Sequence, residues 1–337
     1  MLSYNLNIKH FVIKFFFINL FLLFTATRLV AADEYNPFRK PSLSGEVQVV
    51  RQQYSASSDR LFEFSLGAGY RNDSLSWSEA GGSVNILSEL KWQNLRITQI
   101  NAAVNFYFSG DWLLKSMLDY GRVNSGTNQD SDYNGNNRTL EFSRSNNKGG
   151  GEVKDASLGL GNTIRILNNI GNSELSITPL IGVSIHEQYL TMTDGFQTLP
   201  ASGPFPGLNS SYDAQWLGFW AGIETVLNIT RDWLITGSLA IHRADYSAQA
   251  NWNLRPEFSH PVSFTHTAKG GGSSLEVGAI YVARKDWRAN ISLAMQRWRA
   301  GGGMDRTNLS DGSSGYFPLN EVTWESTVLN LGISYFF

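Results

Sequence analysis

The chain has 337 residues, 27 basic and 29 acidic side chains, a net charge of −2, and no cysteine. This balance offers nothing for a nucleic-acid backbone. The missing thiols exclude a disulfide framework, thiol catalysis and thiolate metal ligation.

The first 32 residues read as an export signal. Lys9 and Lys14 precede the apolar run Phe15–Phe24, broken only at Asn19, and Val30-Ala31-Ala32 offers small residues for cleavage. That run is shorter than the roughly 20 residues of a membrane-spanning helix, and no later segment approaches that length. Cleavage removes Lys9, Lys14 and Arg28, leaving 24 basic against 29 acidic residues and a net charge of −5. A cysteine-free chain also crosses an oxidising periplasm without mispairing. Residues 33–60, with Pro37, Pro41 and one apolar patch at Val47–Val50, read as an N-terminal extension, periplasmic or lumen-associated.

From residue 61 to residue 337 one pattern repeats, so this stretch reads as a single domain. Leu61–Ser78 is the first strand element. Three short turns then carry the same pair, at Gly110-Asp111-Trp112, Arg231-Asp232-Trp233 and Lys285-Asp286-Trp287, and a fourth lies around Asn168–Asn172. A tryptophan just past a turn suits a membrane-water boundary, where one end of the ring is apolar and the other wet. The flanking segments alternate with period 2. Leu217, Phe219, Ala221, Ile223 and Leu227 share one face; Trp233, Ile235, Leu239 and Ile241 share another, with Thr236, Ser238 and His242 opposite. Trp287, Ala289, Ile291, Leu293 and Met295 repeat it.

The last segment does the same. Leu329, Leu331, Ile333, Tyr335 and Phe337 oppose Asn330, Gly332 and Ser334. Strands that are apolar on one face and polar on the other separate lipid from a wet lumen. Four turns give eight strands, and Leu61–Ser78 with Thr323–Phe337 bring the count to ten. The expected fold is therefore all-β, a ten-stranded antiparallel up-and-down transmembrane barrel in the outer membrane. Five longer polar stretches, near Ser78–Gly82, Gly121–Gly151, Asp194–Tyr212, Ala248–Ser273 and Arg299–Val322, read as long extracellular loops, the place for binding or catalysis. Expected partners are outer-membrane lipid and lipopolysaccharide, an extracellular or host ligand, and the barrel assembly machinery, whose C-terminal recognition signal Tyr335-Phe336-Phe337 resembles.

The chain from about Leu61 to Phe337 resembles the omptins, ten-stranded outer-membrane proteases and adhesins. The similarity rests on Phe64-Ser65-Leu66-Gly67, Leu87-Ser88-Glu89-Leu90-Lys91-Trp92, Tyr212-Asp213-Ala214-Gln215 and the run Asn128–Tyr133, which matches an Asp-x-Asp-aromatic motif. From Tyr70 through Asp155 it more closely resembles the Protochlamydia-type outer membrane proteins. Tyr70–Trp77, Asp130–Tyr133 and Glu141–Ser145 carry that likeness, which implies a porin-like or surface protein.

The omptin resemblance implies a water-activating cleft of two acids opposed by an Asp-x-His pair. Asp130 and Asp132 match the acids, but the pair falls on Asn251 and Asn253, and neither asparagine takes up a proton near neutrality. The first-strand acid of the family falls near Leu75. Residues i and i+2 of a strand lie about 6.6 Å apart, too far for a proton-sharing dyad at about 3 Å. His260 and His266 are the candidates to supply a relocated base. The same segment also fits a calcium loop, with Asp130, Asp132, Asn134 and Glu141 at positions 1, 3, 5 and 12 and Gly135 at 6. Arg138 at position 9 opposes a cation. No other cofactor is expected. The combined reading is a non-proteolytic surface barrel that binds through its outer loops, with a narrow porin-like channel or an omptin-type endopeptidase as alternatives.

Overall fold

A computed structural model describes residues 61–108, 111–167 and 174–337. The expected export signal (1–32), the extension (33–60), Gly110 and the turn at Asn168–Asn172 lie outside the described residues.

Eleven strands follow one another: β1 (Phe62–Gly81), β2 (Val84–Phe108), β3 (Trp112–Gly135), β4 (Thr139–Asn162), β5 (Ile164–Leu167), β6 (Glu174–Leu199), β7 (Gly203–Asn228), β8 (Trp233–Asn251), β9 (Phe264–Val282), β10 (Trp287–Asn308) and β11 (Ser314–Phe336). All pairings are antiparallel. Neighbours in sequence are neighbours in the sheet, β1 pairs with β11, and the β4–β6 ladder closes the ring. A closed sheet has no edge, which removes the row of unpaired backbone groups that lipid cannot satisfy.

The expected count of ten is corrected to eleven, for a local reason. β3 begins at Trp112, so residues beyond Thr163 have no β3 partner and pair with β6 alone. Their register continues that of β4, from Gly161 opposite Leu180 to Ile164 opposite Ile177. Eleven strands thus occupy ten places round the ring.

A second correction concerns the long loops. The polar stretches are mostly strand, and the connections shrink to residues 82–83, 136–138, 200–202, 252–263 and 309–313. Crossing a membrane takes about 9–11 residues of tilted strand, whereas β6 and β7 each have 26. The outer half of the wall stands in water on its outside, so its alternation loses the apolar face that marks a strand in sequence. Among the described residues, 252–263 is the longest connection.

Lipid-facing residues lie in the half next to the short turns. Ile100, Ile181, Phe219 and Ile241 are each more than 60% exposed there, an apolar band that only lipid explains. Trp233 packs on Tyr281 at 5.1 Å and Trp287 on Tyr335 at 4.9 Å at its edge, the rings tilted.

The lumen is filled by its own wall. Lys115 on β3 pairs with Glu224 on β7. Arg71 on β1 reaches Asp155 on β4 at 2.5 Å and Asp73 at 2.6 Å. Trp92 on β2 stacks on Tyr212 of β7 at 5.3 Å, and His186 on β6 packs on Trp298 of β10 at 4.8 Å. None of the strands in these cross-lumen pairs are sheet neighbours. The contacts therefore span the interior, as in other small barrels whose side chains meet across the axis.

Candidate functional site at the outer mouth

Above the membrane, acidic side chains from several strands gather at the outer mouth of the barrel. Asp130 and Asp132 sit one residue apart on β3, opposite Leu90 and Ser88 of β2 and opposite Ser145 and Ser143 of β4. Leu90 is completely buried in the lumen core, so alternation turns both aspartates inward. Burial, then the charge of Asp132, pushes the Asp130 carboxyl up to about 7, against the opposing influence of the Arg255 guanidinium and the Trp252 indole N–H. Asp132 is also raised by burial, with the Ser88 and Ser143 hydroxyls acting the other way.

A third acid enters from β1. Glu79 is half-buried, and burial followed by repulsion from Asp305, Asp132 and Asp130 pushes its carboxyl up to about 8. Leu75, where the omptin likeness places a first-strand acid, is 1% exposed and belongs to the core. An acid stands two repeats of the pleat farther out, at Glu79, in a stretch that reads as loop.

The histidine of the mouth is His266, on β9. Its Nε2 lies 2.9 Å from Asp305 Oδ2 on β10, and its Nδ1 lies 2.8 Å from the Tyr212 hydroxyl. Tyr212 continues to the Tyr246 hydroxyl at 2.5 Å, and Thr307 Oγ1 donates to Asp305 Oδ1 at 2.8 Å. His266 is 0% exposed and Asp305 2%. Both ring nitrogens are therefore engaged, and the side chain is sealed from water. The side-chain donor atoms of Glu79, His266 and Asp305 all lie within 4.8 Å of one another.

The other sequence candidates are placed elsewhere. Ala248 and Ala250 of β8 face the core, so Asn251 points out of the lumen, where its Oδ1 meets His260 Nδ1 at 2.7 Å. Asn253 is a clamp. Its Oδ1 accepts from the Asn209 amide and the Ser210 hydroxyl, and its Nδ2 donates to the Gly207 carbonyl at 2.7 Å. Trp252, between them, is the residue that turns toward Asp130. Of the calcium pattern, the structure brings Asp130 and Asp132 together and separates the rest. Glu141 lies opposite Tyr133, and both its oxygens are taken by Arg144, at Nε (2.8 Å) and Nη2. Asn134 is exposed, and β3 runs extended through Gly135 rather than wrapping round a centre.

The site thus keeps Asp130, Asp132 and His266 from the sequence reading and adds Glu79, Asp305 and Tyr212. Tyr212 was visible as part of a motif. Asp305 was masked by a register shift between Gly301 and Met304, which breaks the alternation that would have shown its inward direction.

The fold has a clear counterpart. The outer membrane protease OmpT from Escherichia coli superposes with a TM-score of 0.69 at 14% identity, covering 83% of this chain and 98% of that one. The translocator domain of the autotransporter NalP from Neisseria meningitidis gives a TM-score of 0.35 at 11% identity, over 81% of this chain and 88% of that one. No curated protein sequence matches the chain. At 14% identity the likeness to OmpT speaks for an outer-membrane barrel fold alone. The sequence itself goes further: it matches the model of the Protochlamydia outer membrane proteins from residue 65 to residue 337, and the chain belongs to that family.

Proposed function

We propose that the barrel is a surface protein that holds a cationic group, such as an arginine or lysine side chain of an extracellular peptide, at Asp130 and Asp132 without cleaving it. The observation that carries this reading is the acid pair: two half-buried carboxylates on one face of β3, aimed into the mouth. Arg255, on the connection 252–263 and itself paired with Glu257 at 2.6 Å, favours the charged form of both carboxylates through its charge, the effect a bound guanidinium would strengthen. In a partly dry mouth such charge pairs are stronger than in water.

Two features weigh against hydrolysis. Asn251 and Asn253 are occupied in holding the loop, and His266 has no ring nitrogen directed at water. Cross-lumen contacts such as Lys115–Glu224 weigh against a wide pore.

The test uses the full chain refolded in detergent and an arginine-containing peptide compared with its neutral citrulline form. The arginine peptide should bind at least tenfold more tightly, and Asp130→Asn with Asp132→Asn should remove the preference. Equal binding of both peptides would overturn the reading. Cleavage of the arginine peptide, lost on His266→Gln, would replace it with an endopeptidase whose base is the His266–Asp305 pair.

A further inference from the structure

We propose that Glu79, His266 and Asp305 form a site for a divalent transition metal of the zinc type at the outer mouth. The donors come from three separate strands, β1, β9 and β10, and are already mutually within 4.8 Å. In a tetrahedral zinc sphere, with bonds of about 2.0–2.1 Å, neighbouring ligand atoms stand about 3.3 Å apart. His266 Nε2 and Asp305 Oδ2 are 2.9 Å apart, so admitting an ion opens this pair by a few tenths of an ångström, with the neutral ring's single proton on Nδ1, donated to the Tyr212 hydroxyl. Glu79 then needs only to swing its terminal carboxylate inward, a motion of the free end of a flexible side chain.

The supporting groups of a metal site are in place. A histidine ligand is usually oriented through its second nitrogen, and here Nδ1 is held by the Tyr212 hydroxyl, itself backed by Tyr246. Asp305 is fixed through its other oxygen by Thr307.

Two further observations point to a ligand. The Glu79 carboxylate has neither a hydrogen bond nor an ion pair among the described residues. The groups acting on it, Asp305, Asp132 and Asp130, all carry its own sign. Such a carboxylate lacks a cation. Trp77, two residues earlier on the same strand face, packs edge-on against His266 at 4.8 Å, is 4% exposed, and has a buried indole N–H without an acceptor. Three protein ligands leave the fourth position of a tetrahedral ion to water or substrate oxygen, and an oxygen there supplies an acceptor beside that indole. Imidazole in the set favours zinc, nickel or copper over calcium and magnesium, which prefer all-oxygen shells.

The proposal uses a donor set separate from Asp130 and Asp132 and stands independently of peptide binding. The test takes the refolded full chain, stripped with chelator, and titrates it with CoCl2 and then ZnCl2. One equivalent of Co2+ should give the visible absorption of a four-coordinate nitrogen and oxygen site, displaced by one equivalent of Zn2+. Glu79→Gln should weaken binding at least tenfold, and Tyr212→Phe severalfold, while Asp245→Asn, at an exposed position paired with Lys269, leaves it within about threefold. Heat-modifiable gel migration establishes folding in each variant. Folded wild-type protein that takes up no stoichiometric Co2+ or Zn2+, or a folded Glu79→Gln variant that binds as tightly, would overturn the proposal.

Discussion

Replacing Asp130 with asparagine should stabilise the folded barrel above neutrality while costing it its cationic ligand. Asparagine keeps the shape of the side chain and its carbonyl oxygen but never carries the charge. The Asp130 carboxyl moves from its usual 3.8 to about 7 on folding, chiefly through burial, and a shift of that size corresponds to about 4 kcal/mol. Water reaching the half-buried group screens part of this, so about 2 kcal/mol is expected. The sign follows from which state keeps the proton. Below about pH 4 folded and unfolded chains both hold it, and the site costs nothing. Between about pH 4 and pH 7 the unfolded chain releases it while the folded one retains it, and stability falls. Above pH 7 the folded protein carries the full penalty. Urea unfolding of wild type and Asp130→Asn in the same detergent, followed by tryptophan fluorescence, should give equal stabilities at pH 4 and a more stable variant at pH 8. A variant that is less stable at pH 8, or shifted equally at both pH values, would refute the account of a charge held against its folding preference.

Further outcomes are expected at other positions. Arg71→Met leaves Asp73 and Asp155 without the cation that bonds both, and should cost about 3–5 kcal/mol in the same unfolding assay. Reconstituted protein in planar bilayers should show no large, steady conductance, and Lys115→Met, which breaks only one cross-lumen pair, should not create one. Gly218→Ala would set a methyl group 1.9 Å from the Arg243 carbonyl oxygen and 2.6 Å from Ala244 Cα, so this variant should fail to acquire heat-modifiable migration. Asn253→Ala removes the loop's bonds to Gly207, Asn209 and Ser210; peptide affinity should fall about threefold to tenfold, while global stability, at a half-buried loop position, changes by about 1 kcal/mol.

The membrane-spanning half was legible because lipid imposes a rule on every second residue. Phe219, Ile223, Ile241 and Leu331 have no option but to be apolar, and their alternation is visible without any structure. Above the bilayer that rule lapses. Tyr133 and Asn134 face different surroundings but both meet polar groups, so the continuing strand reads as loop. The site suffered from the same loss. Asp130 and Asp132 could be located because they sit together in one motif, whereas Glu79 and Asp305 are isolated acids from opposite ends of the chain, 226 positions apart in numbering. What unites them is the pairing of β1 with β11, a consequence of ring closure that no local pattern encodes. Asn251 shows the converse: counting from a turn puts it at the expected position, yet the parity of β8 sends it to the outside.

The extended strands also decide where this chemistry is exposed to its surroundings. β3 has 24 residues, about 80 Å of chain at 3.3 Å per residue. At a tilt near 45° it rises about 55 Å, of which the apolar band takes about 25 Å. Asp130 and Asp132, 18 and 20 residues beyond Trp112, therefore stand about 17–22 Å clear of the hydrocarbon. At physiological ionic strength the screening length is about 8 Å, so about two such lengths separate the acids from the edge of the hydrocarbon. The mouth sets its own electrostatics. Its proton and cation affinities should be the same in a neutral detergent micelle as in a strongly anionic outer leaflet, and a peptide attracted to the membrane surface gains little of that attraction once it reaches the site.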